Sequence, residues 1–329
     1  MFKQFFNKYK DYASDYNGGL SSHIPMVSYS LYELEVPFNE IEKYLDDTIG
    51  RIKISKENFI KIYNINDDNF EEYLGLNDSF ASYYEYFSKK INESNYLDVI
   101  GEFLPQLIKG VAARAFHPLI RLSFAVRSEN EEEVIRSLSY FAETFITNEF
   151  DILPPKSENL LEDLKVLVES IKNEDYSGNL IADRIRNIYG FDGFKKNAFT
   201  LKGNYEDIVL QLDKIINKLF VQTKNFTILH GVTSKEAIKT LLPLVKDKEY
   251  VLQNYWIAIL GAYISIGSPE IKDLNIDIPK NLPDFKEIIR ANINSNNDHS
   301  IKLANTCRIE FERSGDSVYK YMAFLRAYS

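Results

Sequence analysis

The stretch Asn297-Asp298-His299-Ser300-Ile301-Lys302 marks the start of a helix and places two unusual side chains in its first turn. Its Asn or Asp is suited to cap that helix, and an apolar pattern at i, i+4 and i+8 begins directly after it, at Leu303. His299 and Lys302 stand three positions apart and therefore share one helix face. An imidazole beside a lysine at a helix start favours chemistry over packing, so this turn is predicted to form one wall of a metal site.

Helical spacing recurs along the rest of the chain, with strong apolar periodicity at 204–223 and a nearly continuous apolar stretch at 249–266. Convincing period-2 runs, βαβ alternation and an Asn-Gly hairpin are not found. The sequence therefore predicts an all-α, multi-helical fold, and the succession of helix pairs leaves a solenoid open.

The chain has 329 residues, which favours one large domain or two intimately packed helical halves. The clearest linker is the segment 151–155, which holds two prolines. We therefore expect a single domain over 1–329, with possible halves at 1–150 and 156–329.

Two helices contain residues that interrupt a regular pattern. Pro118 follows His117 inside the apolar stretch 112–127, and it must either kink a helix or open a new one. Gly231 follows His230 and indicates either a flexed helix or a join between two helices. A further helix is expected to start at Ser21 or Ser22 as its cap, which places His23 in the first turn.

Composition excludes several classes of function. The formal net charge of −9 argues against a nucleic-acid partner. The single cysteine, Cys307, excludes disulfide frameworks and thiolate zinc modules, and its apolar surroundings predict a buried thiol. The N-terminus lacks a signal-type apolar region, and the longest apolar run, 255–266, is too short to cross a bilayer. We expect a cytoplasmic protein without a membrane partner, and the sequence leaves its oligomeric state open.

The four histidines are the candidate metal ligands: His23, His117, His230 and His299. Each taken alone is more commonly a hydrogen-bonded core or surface residue. No two are within four positions of each other, so a shared site has to be built by tertiary folding. Four neutral imidazoles suit iron, zinc, copper or nickel.

Three further residues are candidate site residues. Lys302, near a metal-bound histidine, has three possible states: turned to solvent, deprotonated, or carboxylated by carbon dioxide to an anionic ligand. Arg121 is one turn beyond His117 and can hold a phenolate or carboxylate, or form a surface ion pair. Asp298 can orient His299 as a hydrogen-bond acceptor, or act only as a cap.

The histidines lie in four stretches that together resemble the questin oxidase-like family, which includes fungal oxygenases that open anthraquinone rings. The resemblance covers the chain from about residue 15 to 325. The stretches are Leu20-Ser-Ser-His23-Ile-Pro-Met-Val27, Ala115-Phe-His117-Pro-Leu-Ile-Arg121 continuing to Phe145, Leu229-His230-Gly-Val232, and Asp298-His299-Ser-Ile-Lys302-Leu303.

This resemblance implies an all-helical non-haem iron oxygenase with four histidine ligands and a carboxylated lysine, here Lys302. It implies Fe(II), with dioxygen as co-substrate and a small aromatic substrate that is cleaved oxidatively between two carbons. The family is also associated with Baeyer–Villiger oxidation by NADPH. The chain has no Gly-x-Gly-x-x-Gly after a strand, so a Rossmann-type nicotinamide or flavin site is not supported.

Two other functions remain open at the level of sequence. The chain is alternatively a non-catalytic helical scaffold that has lost the metal, which the helix pairs and acidic composition would suit. A third possibility is a zinc or nickel hydrolase that uses the same histidines.

Overall fold

Helices make up most of the protein, whose computed structural model describes residues 1–148 and 153–328. The predicted all-α fold is confirmed. The α-helices in the described residues are α1 (Phe2–Phe6), α2 (Ile24–Glu33), α3 (Phe38–Ile52), α4 (Phe80–Glu93), α5 (Tyr96–Leu107), α6 (His117–Arg127), α7 (Glu131–Glu143), α8 (Leu160–Ser170), α9 (Ile181–Gly190), α10 (Asp192–Asn197), α11 (Tyr205–Thr223), α12 (Phe226–Leu241), α13 (Lys248–Ser265), α14 (Phe285–Asn294), α15 (Asp298–Ser314) and α16 (Ser317–Ala327). Short 3-10 helices are Phe70–Tyr73, Ile108–Gly110, Ala113–Phe116 and Leu242–Leu244.

One small hairpin interrupts the helical pattern. Strands β1 (Asp15–Tyr16) and β2 (Leu20–Ser21) pair antiparallel across the loop Asn17-Gly18-Gly19. All three loop residues have positive φ, which glycine adopts without a steric penalty. The prediction that no Asn-Gly hairpin exists is therefore wrong; strands of two residues are too short to show an alternating pattern.

Helix α6 begins at His117 because Pro118 opens a new helix. The preceding 3-10 turn, Ala113–Phe116, ends one helical segment, and the proline takes an early position where its missing N–H costs no hydrogen bond. Helix α12, by contrast, runs unbroken through Gly231. The side chains of α6 are buried from His117 to Ala125, as its apolar sequence predicts.

The starts of α2 and α15 differ in how they are capped. No serine caps α2; His23 itself is the residue before the helix, so the prediction of Ser21 or Ser22 as cap is wrong. The side-chain oxygen of Asn297 caps α15, accepting from the backbone N–H groups of His299 and Ser300 at 3.0 and 3.1 Å. This cap fixes the first turn of α15 in the orientation that presents His299.

One apolar core joins the two predicted halves. Helix α6 packs on α12, and α2 packs on α15, so each pair takes one helix from each half. Cys307 is buried on α15, as predicted. The expected linker at 151–155 lies partly outside the described residues, and the division into halves stays a prediction. Among the described helices, none has the length and apolarity that crossing a bilayer demands.

Candidate metal centre

The four histidines meet where the N-terminal turns of four helices converge. His23 precedes α2, His117 opens α6, His299 lies in the first turn of α15, and His230 lies one turn into α12. Ring nitrogens of His23, His117 and His299 lie within 4.8 Å of one another. The ring centroid of His230 lies 4.8 Å from that of His117 and 5.0 Å from that of His299. Residues spread over most of the chain therefore form one cluster.

The hydrogen bonds at Nδ1 fix the tautomer of three of these rings. His117 Nδ1 lies 2.5 Å from the carbonyl oxygen of Arg114, and His230 Nδ1 lies 2.8 Å from that of Phe226. A carbonyl oxygen can only accept, so Nδ1 carries the proton in both rings. His23 Nδ1 lies 3.1 Å from a carboxylate oxygen of Asp298 and donates to it in the same way. In each neutral ring, Nε2 is then left with a lone pair.

Except for a long contact from Lys302 Nζ to His117 Nε2, at 3.4 Å, the described residues offer no N–H or O–H donor to these Nε2 atoms. His23 Nε2 and His117 Nε2 face each other at 2.8 Å, and the Nε2 atoms of His230 and His299 are buried without a hydrogen-bond partner in the described residues. An unsatisfied buried polar group costs about 1–3 kcal/mol. A metal cation that accepts these lone pairs removes the cost, and the donor set of neutral imidazoles fits a transition metal.

At neutral pH, a proton shared between the rings satisfies these Nε2 atoms less well than a metal ion does. Burial, followed by the charge of Lys302, lowers the pKa of His23 to about 4. The same two causes lower the pKa of His230 to about 3. Burial also holds the pKa values of His117 and His299 well below their usual range. The cluster is therefore a set of neutral imidazoles.

Lys302 is part of this cluster. Its side chain is buried at 1% exposure, and its Nζ lies 3.4 Å from Nε2 of His117. Burial lowers the pKa of Lys302 to about 7. At neutral pH a large fraction of the amine is therefore unprotonated and able to act as a nucleophile or ligand. Of the three states that the sequence left open, the solvent-exposed one is wrong.

Asp298 orients a different histidine from the one predicted. Its carboxylate accepts from Nδ1 of His23 and from the hydroxyl of Tyr44, while Asn297 provides the helix cap. Burial disfavours the ionised form of Asp298, but the hydrogen bonds from His23 and Tyr44 hold its pKa at about 2. The predicted role toward His299 is thus corrected to a chain of hydrogen bonds, Tyr44–Asp298–His23.

Arg121 does not reach the cluster as a substrate ligand. Its side chain is 2% exposed; Nε and Nη2 donate to the carboxylate of Glu133 at 2.5 and 3.2 Å, and Nη1 donates to Ser14 Oγ at 2.7 Å. Every guanidinium nitrogen is therefore used within the protein. Both predictions for Arg121 are therefore wrong. Its guanidinium is not available to a phenolate or carboxylate of a substrate, and its ion pair is buried instead of lying on the surface.

A cavity of about 330 Å³ opens onto the histidines. Apolar side chains from β2 and from the start of α9 line much of it, among them Leu20, Leu180 and Ile181. Phe226, which is 48% exposed, also lines it, with its ring centroid 4.7 Å from His230 and 4.5 Å from His299. Sequence reasoning missed Phe226; its position one turn before His230 was the available signal.

The backbone that leads into His117 is strained. Arg114, Ala115 and Phe116 have φ values of 47°, 54° and 67°, three consecutive non-glycine residues in the left-handed region. Such a residue costs about 1–2 kcal/mol. This run turns the Arg114 carbonyl toward Nδ1 of His117, so the strained turn fixes the orientation of this imidazole.

One comparison with known proteins gives a match over the stretches that form this cluster. A family model described as questin oxidase-like matches residues 20–188 and 221–307, ranges that contain all four histidines and Lys302. No curated protein matches the chain in a sequence search.

Proposed function

Because the chain belongs to the questin oxidase-like family, we propose that it is a metal-dependent oxygenase that acts on a small aromatic substrate and cleaves a carbon–carbon bond oxidatively. The convergence of four neutral imidazoles, three of which have ring nitrogens within 4.8 Å of one another, is the observation that carries this proposal. Iron in its ferrous form is the proposed metal, with zinc, nickel and copper as the other ions that such ligands accept.

In this proposal the metal is held by His23, His117, His230 and His299. When bound, ferrous iron supplies the one-electron chemistry that dioxygen requires. The protein supplies the ligand geometry: carbonyl oxygens fix the rings of His117 and His230, and Asp298 fixes that of His23. Each of these partners holds a proton on Nδ1 and so keeps Nε2 free for the metal.

Lys302 is proposed to serve as a further ligand after carboxylation. Its neutral amine adds carbon dioxide, forms a carbamate and releases a proton; the resulting anion offsets the charge of the metal. Its burial and its low pKa support this reactivity. Loading with isotopically labelled bicarbonate should give a carbamate carbon signal that is lost in Lys302→Arg.

The cavity binds the substrate and excludes bulk water. Phe226 presents an aromatic face beside two of the histidines, where a planar ring can pack at an offset or edge-on. The reacting carbon then lies beside the metal ligands. Since the described residues contain no βαβ unit for a dinucleotide, NADPH is proposed to act, if required, as a diffusible reductant.

Metal analysis of protein purified without chelator tests this function. We expect about one equivalent of iron, which is lost in His117→Ala. Anaerobic nitric oxide should then give the spin-resonance signal of a ferrous nitrosyl, and dioxygen uptake should depend on an aromatic substrate, with or without NADPH. Failure to bind iron on anaerobic loading supports the scaffold, and tight zinc with no nitric oxide signal supports the hydrolase.

A further inference from the structure

The cavity beside the histidines has a cationic wall although the protein is acidic. Among the residues that the structure describes, its lining includes two arginines, Arg114 and Arg184, and no carboxylate. The chain as a whole has a formal net charge of −9. The net charge of the protein therefore repels anions, while this cavity presents them with positive charge.

Within the part of the chain that the structure describes, a carboxylate offsets the charge of one of the two arginines. Nη2 of Arg114 lies 2.6 Å from Oδ2 of Asp15, and the hydroxyl of Tyr140 donates to the other carboxylate oxygen, Oδ1. This pair fixes Arg114 against the hairpin, directly beside Gly19. Arg114 is therefore a structural element of the wall, and its charge is largely neutralised.

Arg184 has no such partner. It lies in the first turns of α9, and its guanidinium makes no hydrogen bond or ion pair with any residue that the structure describes. Its Nε is buried and unsatisfied. A half-buried guanidinium without an acceptor gains from a charged one, and its planar fork matches a carboxylate with two parallel hydrogen bonds.

The neighbouring arginine on the same helix shows the contrast. Arg186, two positions further on, is exposed and forms an ion pair with Asp183 at 3.1 Å. It does not line the cavity. Within one helix, the arginine that faces solvent is paired and the arginine that faces the cavity is left without an acceptor.

The rest of the cavity suits an aromatic ring. Leu180 and Ile181 lie about one helical turn before Arg184 and line the same cavity as Phe226. The volume of about 330 Å³ is at the lower end of the roughly 300–1,000 Å³ typical of ligand pockets. A ligand of one or two fused rings with a single anionic group fits these features.

We propose that the substrate is an aromatic carboxylate whose anionic group is bound by Arg184, while its ring packs against Leu180 and Phe226. Arg184 is then the residue that determines specificity for the anion. The identification of this ligand as the substrate rests on the proposed oxygenase function, but the binding itself does not need the metal.

The test is calorimetric binding of 2-naphthoate and of its neutral analogue 2-naphthamide, on metal-free protein and on protein loaded with ferrous iron under anaerobic conditions. We expect the carboxylate to bind about tenfold or more tightly than the amide in both forms, since a charge-assisted pair replaces a neutral one. Arg184→Gln should abolish this preference, Arg184→Lys should retain part of it, and Arg186→Gln should leave it unchanged.

Arg184→Gln should also melt as the wild type does, because the side chain has no partner to lose. Equal binding of carboxylate and amide, no binding of either, or a preference that survives Arg184→Gln would each overturn the proposal. A preference seen only with iron and kept in Arg184→Gln would assign the anion to the metal instead. A preference in metal-free protein that depends on Arg184, together with no iron binding, would leave this site standing while the oxygenase function failed.

Discussion

The Nε2 atoms of His23 and His117 lie 2.8 Å apart with no proton of their own to share. Asp298 and the Arg114 carbonyl hold the single proton of each neutral ring on Nδ1, on the far side. Two lone pairs therefore face each other in a buried site, and burial opposes protonation of either ring. A cation bound between these lone pairs would relieve their repulsion.

Metal binding should therefore stabilise the fold as well as enable chemistry. A ligand at a hundredfold excess over its dissociation constant adds about 2.7 kcal/mol to the free energy of unfolding. We expect chelator-treated protein to unfold at lower temperature and zinc or ferrous ion to restore the transition. His117→Ala and His230→Ala should lose this response, and Arg186→Gln should keep it. An unchanged melting temperature on metal addition would contradict a site of four imidazoles.

The Tyr44–Asp298–His23 chain should control metal affinity without contacting the metal. Loss of an acceptor behind a ligating histidine typically costs 10–100-fold in affinity. We expect Asp298→Asn to weaken metal binding by about this factor and Tyr44→Phe to weaken it less, because the carboxylate still accepts from His23. Tyr32→Phe, a change at a tyrosine outside this chain, is the control. Equal affinity in Asp298→Asn and wild type would show that the carboxylate does not orient the ring.

The sequence predicted the all-α class and the set of residues in the cluster, but not their partners. Helical periodicity is local, so the sequences of α6, α12 and α15 by themselves predict these helices. The acceptor of His23 is Asp298, which is 275 positions away, and no local pattern can report such a pair. The sequence therefore predicts Asp298 as the hydrogen-bond acceptor of its neighbour His299. Tyr44 carried no signal at all, because only the packing of α3 brings its hydroxyl to Asp298.

The left-handed turn before His117 should be relieved by glycine. Ala115 has φ of 54°, which is strained for alanine, more so for a β-branched residue and not for glycine. We expect Ala115→Gly to leave the free energy of unfolding unchanged or raise it by about 1 kcal/mol, and Ala115→Val to lower it by at least about 2 kcal/mol. Denaturant unfolding measures both. A clearly destabilised Ala115→Gly would mean that the turn is not left-handed in solution.

The buried Arg121–Glu133 pair should act on stability and not on substrate recognition. Removal of one partner leaves an uncompensated buried charge, at a cost of about 3–5 kcal/mol. We expect Arg121→Met and Glu133→Gln each to destabilise the protein by about this amount, with a double variant less destabilised than the sum of the two. Arg313→Gln, at a partly exposed ion pair, is the comparison. A mild effect in Arg121→Met, together with a raised KM, would restore the substrate-binding role that the sequence suggested.

Glu143, at the end of α7, should make the protein less stable as the pH rises toward neutrality. Burial, and then the charges of Glu57 and Asp15, raise its pKa from 4.5 to about 7. Between these two values the folded state binds more protons than the unfolded state, so the stability that protonated Glu143 provides is lost as the pH rises through this window. Glu143→Gln keeps an acceptor for the backbone N–H of Phe80 and carries no charge.

We therefore expect Glu143→Gln to match the wild type near pH 4.5 and to exceed its free energy of unfolding by on the order of 1–2 kcal/mol at pH 8. The histidines titrate identically in both proteins, so the difference between the two pH profiles isolates Glu143. Glu85→Gln, at an exposed ion pair, should show no such divergence. Profiles for Glu143→Gln and wild type that stay parallel from pH 4.5 to pH 8 would show that Glu143 ionises normally, and that the cluster of carboxylates around the hairpin is more hydrated than its packing indicates.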